Sequence, residues 1–396
     1  MQKAKIQSKN RKWDCVPILK YCDFERGTEP GSASYNREGG GVPFIRVGNI
    51  AAQIQEQIYT VSKNIKLCKK DDVLLVLDGS PGVVVRGIEG AFSSGIRRVI
   101  IKNPDKIFKA FILYVLQANF VQNTIKEYST GVTIKHASKS LEYIQIPLPS
   151  FPEQQKIVKV LDTVREGVGG QEKIIELAKE LKKSLLNEIF NVKIKNQKSK
   201  LQFKIQKWVN VNLGDVVNLR KEQVIPNASQ KIFVGLEHID SGEVKLKRYG
   251  EVSEVKSLKN VFYPNDILYG KLRPYLDKAV LSDRFGICST DILVLTPKEN
   301  VEPHFLIQIF HLPNFLNFAV STTSGTNHPR TSWNAIKQYK FYLPPLPDQR
   351  EIAKILQTVD QKIEIEQKKK ALYEELFKTM LNKLMTGEIK ADKLML

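Results

Sequence analysis

The sequence predicts an α+β protein made by tandem duplication, with two mixed modules of short strands and turns, each followed by one long helix. Three observations carry this. The stretch Pro152-Glu153-Gln154-Gln155-Lys156-Ile157-Val158-Lys159-Val160-Leu161-Asp162-Thr163-Val164 returns as Pro347-Asp348-Gln349-Arg350-Glu351-Ile352-Ala353-Lys354-Ile355-Leu356-Gln357-Thr358-Val359, with Pro, Gln, Ile, Lys, Leu, Thr and Val kept in place. Ile157 and Ile352 lie 195 residues apart, as do Trp13 and Trp208, so the repeat reaches beyond the helices. Before each repeated proline the apolar residues come in short runs closed by turn residues; after it they recur at steps of four and three.

In chain order, residues 1–12 read as a basic N-terminal tail and 13–150 as the first module. Residues 151–192 form a central helix, 193–207 a linker, 208–345 the second module and 346–396 a C-terminal helix. In the first module, Phe44-Ile45-Arg46-Val47 leads into Gly48-Asn49-Ile50, Val73-Leu74-Leu75-Val76-Leu77 ends at Asp78-Gly79-Ser80-Pro81-Gly82, and Arg97-Arg98-Val99-Ile100-Ile101 ends at Asn103-Pro104-Asp105. Each is a strand closed by turn chemistry. A helix is predicted from about Phe108 to Ser129. The second module repeats the plan: Phe233 to Ile239 stands where Phe44 to Ile50 stood, Asn265-Asp266-Ile267-Leu268-Tyr269 where Asp71 to Leu75 stood, and a helix is expected from about His304 to Val320. The loops share little, which suggests one scaffold carrying two recognition surfaces.

Both long helices open with proline at the first helical position and a carboxylate, Glu153 or Asp348, in the first turn, where the helix dipole favours negative charge. An apolar seam follows, Ile157, Leu161, Val164 and Val168 in one copy and Ile352, Leu356, Val359 and Ile363 in the other, with the spacing of a coiled coil. Gly169-Gly170 interrupts the first helix, and the seam resumes at Ile174, Ala178, Leu181 and Leu185, one residue early. A kink, a stammer, a close helix crossing or two shorter helices would each account for this. Lys193 to Lys200 reads as a solvated basic linker, and Gly387 as the cap that stops the last helix.

The chain of 396 residues is 42% apolar, ordinary for a folded protein, but carries a formal charge of +19. Such an excess points to a polyanionic partner, and nucleic acid is favoured over membrane. No apolar run approaches the ~20 residues that span a bilayer, and the polar segment Gln2 to Lys12 lacks the apolar core of a signal peptide, so a cytoplasmic location is expected. Cys15, Cys22, Cys68 and Cys288 include no C-x-x-C pair and the five histidines do not cluster with them, so neither zinc nor a disulfide framework is indicated. Catalytic motifs are missing as well: there is no phosphate loop, no G-x-S-x-G elbow, no H-E-x-x-H pair and no Asn/Asp-Pro-Pro-aromatic tetrapeptide.

What the loops do carry is cationic groups beside small and aromatic residues. In the first module these are Arg37 after Tyr35-Asn36, Arg86, Arg97-Arg98, and Lys135-His136 at the end of Gly131-Val132-Thr133-Ile134. In the second they are Arg248, Lys271 and Arg273 with Tyr275, and Thr326, His328 and Arg330 within Ser324 to Arg330. Arginine grips guanine or phosphate bidentately and glycine lets the backbone approach a phosphate, so these are the candidate DNA-binding residues. Gly131 and Gly325 also suit plain turns whose Ser138 or Ser332 caps a short helix.

At Ile146-Pro147-Leu148-Pro149-Ser150-Phe151-Pro152-Glu153-Gln154 and Tyr342-Leu343-Pro344-Pro345-Leu346-Pro347-Asp348-Gln349 the chain resembles the DNA-specificity (S) subunits of type I restriction-modification systems. Pro43 to Ile50 and Gly270-Lys271-Leu272-Arg273-Pro274-Tyr275-Leu276 are similar to that family's target-recognition domains, and the resemblance extends over nearly the whole chain. It implies that each recognition domain reads one half of an asymmetric bipartite site in double-stranded DNA. It also implies that the two helices pack as an antiparallel coiled coil, set the spacer and dock two methyltransferase (M) subunits. Those partners bind S-adenosylmethionine, motor/endonuclease (R) subunits join the full complex, and the chain itself has no catalytic residue, metal or cofactor. Gly169-Gly170 departs from the rigid spacer helix the family leads one to expect.

Roughly 38 helical residues at 1.5 Å each give about 57 Å, more than one ~34 Å duplex turn. Two other readings fit the same charge: a cryptic nuclease or methyltransferase, and a stand-alone DNA-binding or coiled-coil assembly protein. Turnover by the purified chain would favour the first, and absence of salt-sensitive retention on DNA would favour the assembly protein.

Overall fold

A computed structural model describes residues 13–51, 56–190, 207–226 and 232–394. The basic tail 1–12 and the linker 193–207, apart from Lys207, lie outside these. The chain forms two compact units, one of residues 1–172 with 367–396 and one of residues 173–366, so each long helix contributes to both.

In unit 1 the apolar strand Leu74–Val76 is buried and pairs antiparallel with Ile96–Ile101 and Val84–Val85, with Cys22–Arg26 beyond. Because successive side chains point to opposite faces, Leu75 packs under the helices with Val99, while Leu74 and Val76 pack with Ile45, Cys68, Phe92 and Ile96 on the other side. Unit 2 repeats this with Ile267–Gly270. Ile267 and Tyr269 face the helical core, and Leu268 faces Val234, Phe262 and Cys288. In both units one strand pairing is parallel, Phe44 with Ala91 and Phe233 with Ile287.

Each expected single helix is two. Lys109–Gln117 is followed by Asn119–Glu127, and Pro303–Phe310 by Pro313–Ser321. Leu312 precedes a proline, which disfavours helical backbone there, and its ψ is 137°. Ala118 takes ψ 143° with no proline after it, and the N–H exposed at the new helix start, that of Asn119, donates to Asn382 Oδ1 at 3.2 Å.

The long helices run Phe151–Phe190 and Leu346–Thr386, with the Gly387 N–H donating back to Leu384 O. The repeated glutamine at the start of each is buried and makes the same three bonds. Gln154 Nε2 donates to Lys106 O at 2.8 Å and Pro149 O at 3.0 Å, and its Oε1 accepts from Phe108 N at 2.9 Å. Gln349 Nε2 donates to Pro344 O at 2.9 Å and Asn300 O at 3.3 Å, and its Oε1 accepts from Glu302 N at 2.9 Å. One side chain thus ties the module's last strand, its helical layer and the long helix together, satisfying backbone groups at their junction, among them the buried carbonyl of Pro149 or Pro344.

Within each unit the two helix segments are antiparallel. In unit 1 Gly167 faces Tyr373 and Glu172 pairs with Lys370; in unit 2 Lys182 pairs with Asp360 at 2.7 Å. Consequently Ile157 and Leu161 pack with Met380, Leu381, Leu384 and Met385, and Ile352 and Leu356 with Leu185, Leu186 and Ile189.

The expected break in the seam at the glycines is not there. Ile157, Leu161, Val164, Val168, Gln171, Ile175, Ala178, Lys182, Leu185 and Ile189 are all buried or half-buried, at unbroken steps of four and three. Ile174 and Leu181, assigned to the seam from their hydrophobicity, point outward. Gln171 and Lys182 hold the inward positions, which residue type alone does not suggest. Among the described residues no helix is long and apolar enough to cross a membrane.

Candidate nucleic-acid interface

In unit 1 the buried strand runs out at Leu77, whose N–H donates to Gly95 O at 3.0 Å and whose carbonyl accepts from Ala137 N at 2.8 Å. Asp78–Gly79 then pairs antiparallel with Lys135–His136, and reciprocal bonds between Thr130 and His136 close the hairpin that carries them. Asp78 organises this corner. Its Oδ2 accepts from Arg97 Nη2 at 3.0 Å and its Oδ1 meets His136 Nδ1 at 2.8 Å. Arg97 is buried and also donates to Ser138 Oγ at 3.0 Å, so Ser138 supports the hairpin and caps no helix through its side chain. Burial lowers the Arg97 pKa, against the pull of Asp78, and a guanidinium so enclosed is a fastening beneath the hairpin. Exposed above it are Val132, Thr133, Ile134, Lys135 and His136, methyl and basic groups of the kinds that base edges and phosphates accept.

Unit 2 builds the same corner from other residues. Lys271 N donates to Asp291 O at 2.9 Å, and Lys271 O accepts from Thr331 N at 3.0 Å. Leu272 bridges Arg330, and Arg273 N donates to Pro329 O at 2.7 Å. The hairpin closes through reciprocal 3.0 Å bonds between Ser324 and Arg330. Here Asp291 is the organising carboxylate, accepting from Arg330 Nε at 3.0 Å and Nη2 at 3.3 Å. That guanidinium holds Asp291 below the usual carboxylate range. Thr326, Asn327 and His328 form the exposed tip, and Ser332 caps the helix Trp333–Ile336 by accepting from Ala335 N. Arg273 sits in the left-handed region, φ 51° and ψ 62°, with its Nε buried and without a hydrogen-bond partner.

The structure therefore brings together Lys135 and His136 in unit 1, and Lys271, Arg273, Thr326, His328 and Arg330 in unit 2. Two of the candidates are not free loop cations. Arg97 is buried, and Arg98 pairs with Glu25 at 2.7 Å while donating to Leu67 O at 2.9 Å, so both are held by the sheet. Adjacent strand residues point to opposite faces, and that signal was available in the sequence. Arg37, Arg86 and Arg248 belong to other loops; all three are exposed, with Arg37 paired to Glu56 at 2.7 Å and Arg248 to Asp240. Asp78 and Asp291 were missed, and an acid at the exit of a buried strand in so basic a chain was the signal for the former.

A family profile described as the type I restriction modification DNA specificity domain matches the chain twice, at residues 10–180 and 205–375. The MjaVIII specificity subunit of a type I restriction enzyme from Methanocaldococcus jannaschii is 25% identical, with 96% of this chain and 94% of that protein covered. The EcoDI specificity subunit from Escherichia coli is also 25% identical, over 86% of this chain and 80% of its own length. The crystal structure of a type I S subunit from M. genitalium superposes with a TM-score of 0.61 at 17% identity, covering 97% of this chain and 99% of that one, which establishes the likeness of fold.

Proposed function

The chain belongs to the type I restriction-modification DNA specificity family, and on that premise we propose that it is the specificity subunit of such a complex, with unit 1 and unit 2 each reading one half of an asymmetric bipartite DNA site. The observation that carries this reading is the hairpin corner found twice. Its hydrogen-bond ladder is the same in both units, whereas the residues at its exposed tip differ, so the halves of the site should be unlike.

The chain contributes recognition and no reaction. Methyl transfer belongs to partner methyltransferase subunits, which bind S-adenosylmethionine, and translocation and cleavage belong to motor/endonuclease subunits. Exposed leucines support two docking sites for the methyltransferase. Leu177 and Leu181 are 51% and 53% exposed, and their counterparts 195 residues on, Leu372 and Leu376, are 65% and 44% exposed. Apolar side chains kept outward in both copies suit two copies of one partner. The antiparallel helices would set the nonspecific spacer between half-sites.

The test is reconstitution. The purified chain with DNA, Mg²⁺ and S-adenosylmethionine should show no turnover. Its binding to DNA should fall steeply as salt rises, and methylation should appear only when methyltransferase subunits are added. Methyl transfer by the chain alone would contradict the reading.

A further inference from the structure

The turn that carries Arg273 is unusual in unit 2, and it is fastened at its far end by a buried pair. Arg273 and Asp277 both take left-handed backbone, φ 51° and 52°, on either side of the 3-10 turn Pro274–Leu276. Side chains other than glycine rarely adopt this conformation, and it persists only where surrounding contacts fix it. The corresponding loop of unit 1, Asp78-Gly79-Ser80-Pro81-Gly82, uses glycine at its positive-φ positions, 79 and 82, and so needs no comparable restraint.

The restraint in unit 2 comes from the helical layer. Asp277 Oδ1 lies 2.7 Å from Nδ1 of His311, a buried histidine just after the helix Pro303–Phe310. A carboxylate has no proton to give, so the imidazole Nδ1–H donates. The Asp277 backbone is held too, its carbonyl accepting from Gly242 N at 2.9 Å and its N–H donating to Pro274 O at 3.1 Å. At the other end the Arg273 N–H is fixed to Pro329 O on the recognition hairpin. The turn is thus tied to the hairpin through Arg273 and to the rigid core through Asp277.

We propose that Asp277 and His311 form a clamp that holds the Arg273 turn in its reading conformation, making both of them positioning residues for the half-site read by unit 2. Neither touches DNA; they act through Arg273. The proposal rests on the bipartite reading above.

The experiment uses the full complex with methyltransferase subunits, after the methylated motif of the wild type has been determined. Asp277→Gly keeps the left-handed backbone but deletes the carboxylate, and Asp277→Asn keeps both the backbone preference and an acceptor for His311. Discrimination is measured as the ratio of affinities for cognate DNA and DNAs altered in one half-site at a time. Asp277→Gly should reduce discrimination at the unit 2 half-site by about tenfold or more, leave the other half-site unchanged, and unfold near the wild-type midpoint. Asp277→Asn should behave as wild type. From the helix side, His311→Leu should reproduce the loss and His311→Asn, which retains a donor, should rescue it. A wild type that reads two half-sites beside an Asp277→Gly or His311→Leu variant of undiminished discrimination overturns the clamp. A wild type that shows no division into half-sites overturns the bipartite reading, and the clamp with it.

Discussion

Gly79 and Arg273 hold the same station in their two units. Each lies two residues beyond the residue that follows the central strand, Leu77 or Lys271, whose carbonyl takes the N–H of Ala137 or Thr331, and each has positive φ, 92° and 51°. Unit 1 meets this backbone demand with glycine. Unit 2 meets it with a large cation, at a cost of about 1–2 kcal/mol for the left-handed conformation. Such strain persists only where the surrounding structure fixes it, as the contacts of Arg273 and Asp277 do here. Arg273→Gly should therefore stabilise the chain by about 0.5–1 kcal/mol in urea unfolding while weakening recognition of one half-site only. Equal loss on both half-sites, or no gain in stability, would count against the assignment.

The glutamine latch should matter to both units in the same way. Gln154→Met or Gln349→Met removes three hydrogen bonds to the backbone, one of them to a buried carbonyl, and each should cost about 1–3 kcal/mol. Denaturant unfolding of the two variants checks this, and a loss below about 0.5 kcal/mol would mean that water replaces the amide.

The glycines of the first long helix separate by their surroundings. A Cβ at Gly169 or Gly170 meets nothing within 4 Å, while one at Gly167 would stand 2.9 Å from the Tyr373 ring. Alanine at 169 and at 170 should each stabilise by up to about 1 kcal/mol, and alanine at 167 should fall short of that by about 1 kcal/mol. Thermal unfolding of the three single variants decides it; destabilisation by Gly170→Ala would show that the helix is not regular there.

If the outward leucines dock the methyltransferase, Leu177→Gln with Leu181→Gln should lower the partner stoichiometry from two to one, and so should Leu372→Gln with Leu376→Gln. All four together should abolish assembly while leaving unfolding within about 0.5 kcal/mol of wild type. Mass measurement of the reconstituted complexes reads the outcome, and full assembly by the quadruple variant would place the docking surface elsewhere.

Much of this architecture is legible in the sequence because duplication repeats the local signals. Pro152 and Pro347 mark both helix starts within one residue, and the seam period gives the inward face as far as Val168. The reading failed where an inward position is polar: Lys182 is tolerated because Asp360 pairs with it, a contact between segments far apart in the chain, whereas Gln171 turns inward with its Oε1 buried and without a hydrogen-bond partner. It failed again at Ala118, where nothing local demands a break and the helix start is capped by Asn382 from the far end of the chain. At the site, the hairpin tips were visible as glycine followed by cations. Of the organising carboxylates, Asp78 could be suspected from its place at the end of an apolar run, but Asp291 could not, because its role follows from strand pairing and not from composition.

The central claim is that two independent readers share one scaffold. The measurement that tests it most directly is methylome sequencing of a host carrying the complex, before and after residues 208–345 are exchanged for the equivalent region of a relative with a different target. The account predicts a two-part methylated motif in which one half changes while the other half and the spacer between them are preserved. A motif that changes in both halves, or does not change at all, would contradict it.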